Sequence, residues 1–214
     1  MNLEVVRLLL KYGANPNHRM FKRRESVFES SIYKGRIELV KLFLASGAEV
    51  NSPPGSFTSP LYEAAKSGDV EIVSELIKHG ADVNFQDEEW RTPLIEASDR
   101  GHLDVVKLLL KCAADPNART KRGDTALILA AYRMGWCFDE DTGDTYLEII
   151  KALLRAGAEL NVIASNGWSP LDFAEYNPME GHGQYESTWY SKGAEYLRSI
   201  GAKHGRELSR DRRE

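Results

Sequence analysis

The sequence predicts an all-α solenoid, in which short helix–turn–helix units with hairpin-like loops stack side by side in one domain. An amphipathic helical segment recurs in register about every 33 residues, and each copy ends at a turn that closes with asparagine. A Ser-Pro or Thr-Pro pair also opens the other helical segment in three of the units. Units of this size cannot bury an apolar face alone, so each must be covered by its neighbours.

The more regular segment of each unit has five copies, at residues 3–17, 37–51, 70–84, 103–117 and 147–161. Its apolar residues recur at helical spacing and leave one broad apolar face. Most of these helices end at a glycine, where a left-handed residue is favoured. In the fourth copy Ala113 takes that place, and we expect slight strain or a different cap there. The asparagine that closes each copy is suited to hydrogen bonding with the main chain of a turn.

A second helical segment precedes these copies, at residues 58–68, 91–101, 124–135 and 168–178, with a degenerate copy at 25–35. A Ser or Thr at the start of each segment can cap the helix N-terminus. Proline follows in three copies, at a position where a missing N–H costs nothing. Alanines within these segments allow the paired helices to approach closely.

The stretch "RTPLIEASDRGHLDVVKLLLKCAADPNAR" (91–119) resembles the ankyrin repeat family, and the resemblance extends over residues 1–204. It implies one domain of about six repeats, followed by a charged tail at 205–214 that we expect to be frayed. The family's histidine after "TPL" is replaced by Tyr62, Ile95 and Ile128 in three of the repeats. We therefore expect apolar contacts there instead of the inter-repeat hydrogen bonds that this histidine makes in the family.

The first repeat has a second helix but no first helix, which leaves Val5, Val6, Leu8 and Leu9 with a neighbour on one side only. We expect this helix to be the weakest element, or to bury Val5 and Leu9 against another chain. The protein is accordingly expected to be a monomer, or a dimer formed through the incomplete first repeat.

The last two repeats are each 11 residues longer than the 33-residue unit, with the extra residues near 136–146 and 178–188. Equivalent loops of stacked repeats are neighbours, so we expect residues 136–146 and 178–190 to pack together as one acidic, aromatic-rich insert lobe. Its aromatic rings either pack on each other or offer anchors to a partner with a basic surface. The candidate residues of the insert lobe are Trp136, Phe138, Asp139, Glu140, Asp141, Tyr185 and Trp189.

No pattern in the chain predicts catalysis, a cofactor or a metal. The sequence has no phosphate-binding glycine loop, nucleophile elbow or paired-histidine motif. The carboxylates from Asp139 to Asp144 lack the glycine and closing glutamate of a calcium loop, so a solvated acidic loop is the preferred interpretation. The only cysteines, Cys112 and Cys137, suggest neither a disulfide framework nor a metal site.

The family resemblance implies that the hairpin tips and the first helices form a concave surface that contacts partner proteins. Trp168 and Tyr132 are the best anchor candidates, because buried aromatic side chains together with arginine dominate binding energy. Trp90 occupies a turn position that is usually glycine in the family, and it either covers the adjacent repeat or is displayed. The candidate partner-binding residues are Phe57, Glu88, Glu89, Trp90, Arg91, Arg100, Lys121, Arg122, Asp124, Tyr132, Arg133, Trp168 and Tyr176.

These features predict a non-catalytic scaffold that binds another protein. Two alternatives remain: nucleic-acid binding through the basic stretch 18–25, and a metal-dependent site among the acidic residues of the first insertion. The net charge of −4 and the balance of two Lys/Arg against ten Asp/Glu over 134–190 argue against nucleic acid. The longest apolar run, 126–132, is too short to span a bilayer. Sparse cysteine and an N-terminus without the pattern of a secretory signal favour the reducing cytoplasm.

Overall fold

The computed structural model describes residues 2–18, 26–52, 58–137, 140–175 and 188–211. Within these ranges the chain forms twelve helices and no extended strand. In chain order they are α1 (Leu3–Lys11), α2 (Val27–Tyr33), α3 (Ile37–Ala45), α4 (Pro60–Ser67), α5 (Val70–Lys78), α6 (Pro93–Asp99), α7 (Leu103–Lys111), α8 (Ala126–Gly135), α9 (Glu140–Arg155), α10 (Pro170–Glu175), α11 (Thr188–Ser199) and α12 (Gly205–Asp211).

The helices form two layers. The first helices of the repeats, α2, α4, α6, α8 and α10, pack against one another in chain order. The second helices, α1, α3, α5, α7, α9 and α11, pack in the same order to form the other layer. The predicted all-α repeat solenoid is confirmed.

The predicted caps and core account for the shape of each repeat. The side chains of Ser59, Thr92 and Thr125 each accept a hydrogen bond from a main-chain N–H of the first turn. The alanine positions of the first helices, such as Ala64 and Ala97, have no exposed surface. Small side chains at these positions allow the two layers to pack closely, as the sequence predicts.

An asparagine in the turn after each of the second helices α1, α3, α5, α7 and α9 joins one repeat to the next. In the second repeat, Asn51 Nδ2 donates to the carbonyl of Gly80 over 2.9 Å, and its Oδ1 accepts from the N–H of Asp82 over 2.8 Å. The same pair of bonds recurs at Asn17, Asn84, Asn117 and Asn161. The turn that each asparagine bonds is therefore that of the next repeat, so the asparagines supply hydrogen bonds between repeats.

Ala113 keeps the left-handed conformation that glycine adopts in the other repeats. Its φ is +64°, compared with +86° at Gly80 in the preceding repeat. An L-residue with a side chain is disfavoured in this region by roughly 1–2 kcal/mol. Of the two expectations for this helix end, the left-handed conformation of Ala113 favours slight strain over a different cap.

The helix α1 leaves much of its apolar face uncovered. Val5, Leu8 and Leu9 are more than half exposed, whereas Val6 is buried. The equivalents of Val5 and Leu9 in α3, Leu39 and Phe43, are buried. The expected exposure of α1 is confirmed, and burial of this face against another chain stays a prediction.

The first insertion differs from the loop that the sequence predicts. Residues 140–146 belong to α9, which has 16 residues where α7 has 9. The extra length therefore adds about two helical turns to the start of the second helix. Most of the second insertion lies outside the described residues, so the predicted contact between the two insertions stays a prediction.

The prediction of a frayed tail is wrong for residues 205–211, which form α12. The carboxylate of Asp172 in α10 accepts the N–H of Gly205 over 2.7 Å, and its other oxygen lies 2.8 Å from His204 Nδ1. These contacts hold the start of α12 against the last first helix. A charged composition alone did not reveal them, because Asp172 lies more than thirty residues earlier in the chain.

Candidate interaction surface

The hairpin tips between repeats form a row joined by main-chain hydrogen bonds. The N–H of Lys121 donates to the carbonyl of Glu89 over 3.0 Å, and the N–H of Ser165 donates to the carbonyl of Arg122 over 2.9 Å. The side chains of Lys121 and Arg122 remain exposed along this row. The tips of the fourth, fifth and sixth repeats are thus held in register with one another.

Trp90 is displayed at one of these tips. Its φ is +60°, and Gly123 and Gly167 have φ values of +77° and +84° at the same position of the next two tips. The side chain is 52% exposed, and its neighbours Glu88 and Glu89 are exposed too. Of the two alternatives for Trp90, the structure favours display over coverage of the adjacent repeat.

We call the surface formed by the first helices the first-helix face. A buried carboxylate lies at the centre of its polar part. Glu96 of α6 is only 3% exposed. Its Oε2 accepts from the hydroxyl of Tyr62 over 3.0 Å and from Arg91 Nη2 over 2.8 Å, and its Oε1 accepts from Arg100 Nε over 2.6 Å. We call this group, with the residues bound to it, the Glu96 network: Tyr62, Arg91, Glu96, Asp99, Arg100 and Arg133.

Asp99 extends the network to the next repeat. Its carboxylate accepts from Arg91 Nη2 over 2.8 Å and from Arg133 Nε over 2.7 Å. Burial disfavours the charged form of Asp99, but the hydrogen bonds from Arg133 and Arg91 outweigh it and lower the pKa of this carboxyl. Asp99 is therefore held as an anion between the two arginines.

Asp124 has a different environment at the base of the next tip. Its Oδ2 lies 3.4 Å from the hydroxyl of Thr120, and its N–H donates to the same hydroxyl over 3.1 Å. Burial raises the pKa of Asp124, and the hydrogen bond from Thr120 opposes this only in part. Among the candidate residues, Asp124 serves mainly to shape the turn.

Four aromatic side chains form the second part of the face. The Tyr132 ring lies 5.8 Å from Trp136 and 5.7 Å from Phe173, and Phe173 lies 5.0 Å from Trp168. Edge-to-face and tilted contacts at these distances are favourable. We call this group the aromatic ridge: Tyr132, Trp136, Trp168 and Phe173.

Arg133 connects the two parts. Its Nε is bound by Asp99 of the Glu96 network, and its guanidinium carbon lies 6.0 Å from the centre of the Tyr132 ring. A cation at this distance from an aromatic face is attracted by the ring. The predicted anchors Tyr132 and Trp168 therefore lie on one surface, joined through Phe173.

Residues of the first insertion contact the main chain next to the residues of this surface. The hydroxyl of Tyr146 in α9 donates to the main-chain carbonyl of Asp99 over 3.0 Å. A Cβ at Gly101 would lie 3.2 Å from the Tyr146 ring, so the ring packs where a side chain would stand. Burial raises the pKa of Tyr146 to about 12. Cys137 is also buried, and its Sγ donates to the carbonyl of Arg133.

The structure corrects one expectation about the replaced histidines. Ile95 and Ile128 are buried in apolar contacts as predicted, but Tyr62 also makes a polar bond between repeats through Glu96. Sequence reasoning did not include Glu96 or Phe173 among the candidates. Both occupy the same position of the first helix, four residues after the capping Thr92 and Ser169, and comparison of that position between repeats would have indicated them.

Several candidates lie outside what the structure describes. They are Phe57, Phe138, Asp139, Tyr176 and Tyr185, together with the side chains of Glu140 and Trp189. Asp141 is exposed near the start of α9. The predicted roles of all these residues in a partner contact stay predictions.

An open cleft of about 630 Å³ adjoins the end of the ridge. It lies between α10, α12 and the last tip, and its walls include Trp168, Asp172, Glu175, His204 and Arg206. Two of its carboxylates are already engaged within the fold, since Glu175 pairs with Arg198 over 2.6 Å and Asp172 binds the start of α12.

Metal sites and membrane-spanning helices are both absent from the described ranges. No cluster of three or more His, Cys, Asp or Glu side chains in the described ranges could hold a metal ion. Of the helices described above, none combines the length and apolar character that a membrane crossing requires.

Comparison with known families agrees with the geometry. The sequence model described as "Ankyrin repeats (3 copies)" matches residues 28–120 and 61–162, and that described as "Ankyrin repeat" matches residues 1–20. These matches cover more than half of the chain. No curated protein matches the chain.

Proposed function

Because this chain belongs to the ankyrin repeat family, we propose that it is a non-catalytic module that binds a partner protein through its first-helix face and hairpin tips. Ankyrin repeats are generally protein–protein interaction modules. The tips held in register and the adjoining first helices provide one continuous surface of the kind that the family uses.

The observation that carries this proposal is the aromatic ridge beside the Glu96 network. Aromatic side chains and arginines dominate binding energy at protein interfaces. Here Trp136 is exposed, Tyr132, Trp168 and Phe173 are partly exposed, and Arg133 lies against the ridge. A surface of rings already packed on one another loses little side-chain entropy when a partner docks.

The acidic start of α9 provides a second contact region within the same proposal. Asp141 and Asp144 are exposed there. A partner with a basic surface near the insert lobe would be attracted to these carboxylates, and the association rate would fall as salt is added.

Site-specific photo-crosslinking in cells tests the proposal. A photoreactive phenylalanine analogue is placed at position 132 on the ridge and, as a matched control, at position 107 on the exposed side of α7. Position 132 is expected to yield discrete covalent adducts with a partner protein, and position 107 is not. Equal adduct patterns at the two positions, or none at position 132, would contradict binding through the first-helix face.

A further inference from the structure

Arg100 and Arg133 occupy the same position of neighbouring repeats, 33 residues apart. Each guanidinium is bound through Nε by a carboxylate recessed beneath it, Glu96 over 2.6 Å and Asp99 over 2.7 Å. The arginine side chains are 46% and 48% exposed, whereas the two carboxylate side chains are 5% and 13% exposed. The outer layer of this part of the face is therefore cationic, and its anions are covered.

The Nε contacts also fix the direction of each guanidinium. Each of these ion pairs uses Nε, so the edge formed by the two Nη groups lies outside the contact with the recessed carboxylate. The planar pair of Nη groups matches the geometry of a carboxylate. Because each arginine is already held in place, it loses little side-chain freedom when it binds an anion.

The arrangement of charges in the Glu96 network favours an anionic occupant. Three guanidinium groups, of Arg91, Arg100 and Arg133, face the two carboxylates of Glu96 and Asp99. Two further carboxylates, of Asp87 and Asp124, lie close enough to act on Tyr62 and Arg91, so the preference for an anion comes from the outward position of Arg100 and Arg133. A cationic group on this face would meet the guanidinium groups before it reached the covered carboxylates.

The aromatic ridge continues directly from Arg133. The guanidinium lies over Tyr132, and the ridge then runs through Phe173 to Trp168 at the start of α10. Neighbouring helices lie about 8–10 Å apart, so the distance from α6 to α10 is about 20 Å. About six residues of extended chain cover that distance.

We propose that the first-helix face recognises a short acidic segment of the partner protein that also carries an apolar side chain. Asp or Glu side chains of the segment bind the Nη groups of Arg100 and Arg133, and an aromatic or aliphatic side chain a few residues away packs on the ridge. This inference rests on the proposed function and adds to it the chemistry of the partner.

Selection from a random peptide library displayed on phage tests the inference. The probes are wild-type protein, R133Q, the double variant R100Q/R133Q, and the control R119Q. Glutamine retains an N–H donor for the recessed carboxylate but removes the charge. Arg119 is a suitable control because it is 41% exposed and pairs with Glu159 away from the first-helix face. Asp99 still pairs with Arg91 in R133Q, so this variant retains a partner for the carboxylate.

Wild type and R119Q are expected to enrich peptides with Asp or Glu within about six residues of Trp, Phe or Leu. Charge-assisted hydrogen bonds of this kind are worth about a tenfold change in affinity or more. The selected peptides should therefore bind R133Q about tenfold more weakly, and the double variant more weakly still. Urea unfolding of each variant confirms that it is folded before binding is compared.

Two other outcomes separate this inference from the proposed function. In the first outcome, the selected peptides lack acidic residues, bind both glutamine variants as tightly as wild type, and no longer bind Y132A. Recognition of an acidic segment is then contradicted, but partner binding through the first-helix face is supported. If no selected peptide depends on Tyr132, Trp168 or either arginine, both proposals fail.

Discussion

The hydroxyl of Tyr146 donates a hydrogen bond to the main-chain carbonyl of Asp99, although 47 residues separate them in the chain. The bond links the first insertion to the end of α6, where the side chains of Asp99 and Arg100 begin the polar part of the candidate surface. The first insertion thus holds the end of α6 in place, independently of any contact that the insert lobe makes with a partner.

Removal of the Tyr146 side chain should weaken the fourth and fifth repeats together. Y146A leaves a cavity beside Gly101 and is expected to lower the free energy of unfolding by about 3 kcal/mol. Y146F keeps the ring and loses only the hydrogen bond, at a cost of about 1 kcal/mol. Urea unfolding followed by circular dichroism measures both values. Equal stabilities of wild type and Y146A would show that the insertion does not support α6.

Alkaline pH should destabilise the protein through its buried tyrosines. Burial raises the pKa of Tyr146 to about 12, and burial together with Glu96 raises that of Tyr62. The folded state therefore holds these phenolic protons more tightly than the unfolded state does, with its pKa near 10. The stability contributed by the neutral phenols is present below pH 10 and is lost as pH rises through 12.

Urea unfolding at pH 8 and at pH 11 measures this loss, and absorbance near 295 nm follows the ionisation of the phenols. In Y146F the fall in stability between the two pH values should be smaller than in wild type. An identical fall in both proteins would mean that Tyr146 titrates as an exposed tyrosine does.

Loss of the Glu96 charge should cost more than loss of an exposed carboxylate. E96Q removes the buried anion that Arg91 and Arg100 share. We expect the free energy of unfolding to fall by about 2 kcal/mol. This is less than for a fully buried pair, because both arginines are partly exposed. The control is E71Q, since Glu71 forms an exposed ion pair with Lys41 at 2.8 Å. An exposed pair contributes roughly 0.2–1 kcal/mol. Similar melting of the two variants would contradict a stabilising role of the Glu96 network.

Exchange of alanine and glycine at the helix ends tests the strain at Ala113. A113G should raise the free energy of unfolding by about 0.5–1 kcal/mol, because relief of the left-handed strain exceeds the added entropy of the unfolded chain. The reverse change, G80A, places a Cβ in open space at a φ of +86°, so its cost of about 1 kcal/mol is conformational alone. Thermal unfolding should shift in opposite directions. Destabilisation by A113G would indicate that the Ala113 methyl group contributes packing that outweighs the strain.

The docking of α12 should depend on the charge of Asp172. Burial disfavours this charge, but hydrogen bonds from Ser169, Gly205 and His204 lower the pKa of the carboxyl below its usual 3.8. The contribution is therefore present above about pH 4 and is lost as pH falls through the lower, folded-state pKa. In D172N, amide exchange over residues 205–211 should accelerate at neutral pH, while exchange in α5 stays unchanged. Equal protection of α12 in wild type and D172N would show that other contacts hold it.

The sequence by itself determined the repeat architecture, because its signals act within a few residues. Ser59 and Thr92 cap the helices that they precede, and the glycine positions set the helix ends, including the strained exception at Ala113. The spacing of apolar residues at helical period predicted which face of the second helices α3, α5 and α7 is buried. The two predicted anchors, Tyr132 and Trp168, also lie on one surface.

Only the tertiary structure decided how these units are joined and what the surface presents. The asparagines were predicted to bond a turn, but the stacking distance determined that it is the turn of the next repeat. The same applies to Tyr62 with Glu96 and to Tyr146 with Asp99, which are 34 and 47 residues apart. Such contacts depend on the length of α9 and on the packing of neighbouring helices. Local propensity and periodicity carry no information about which distant side chains then meet.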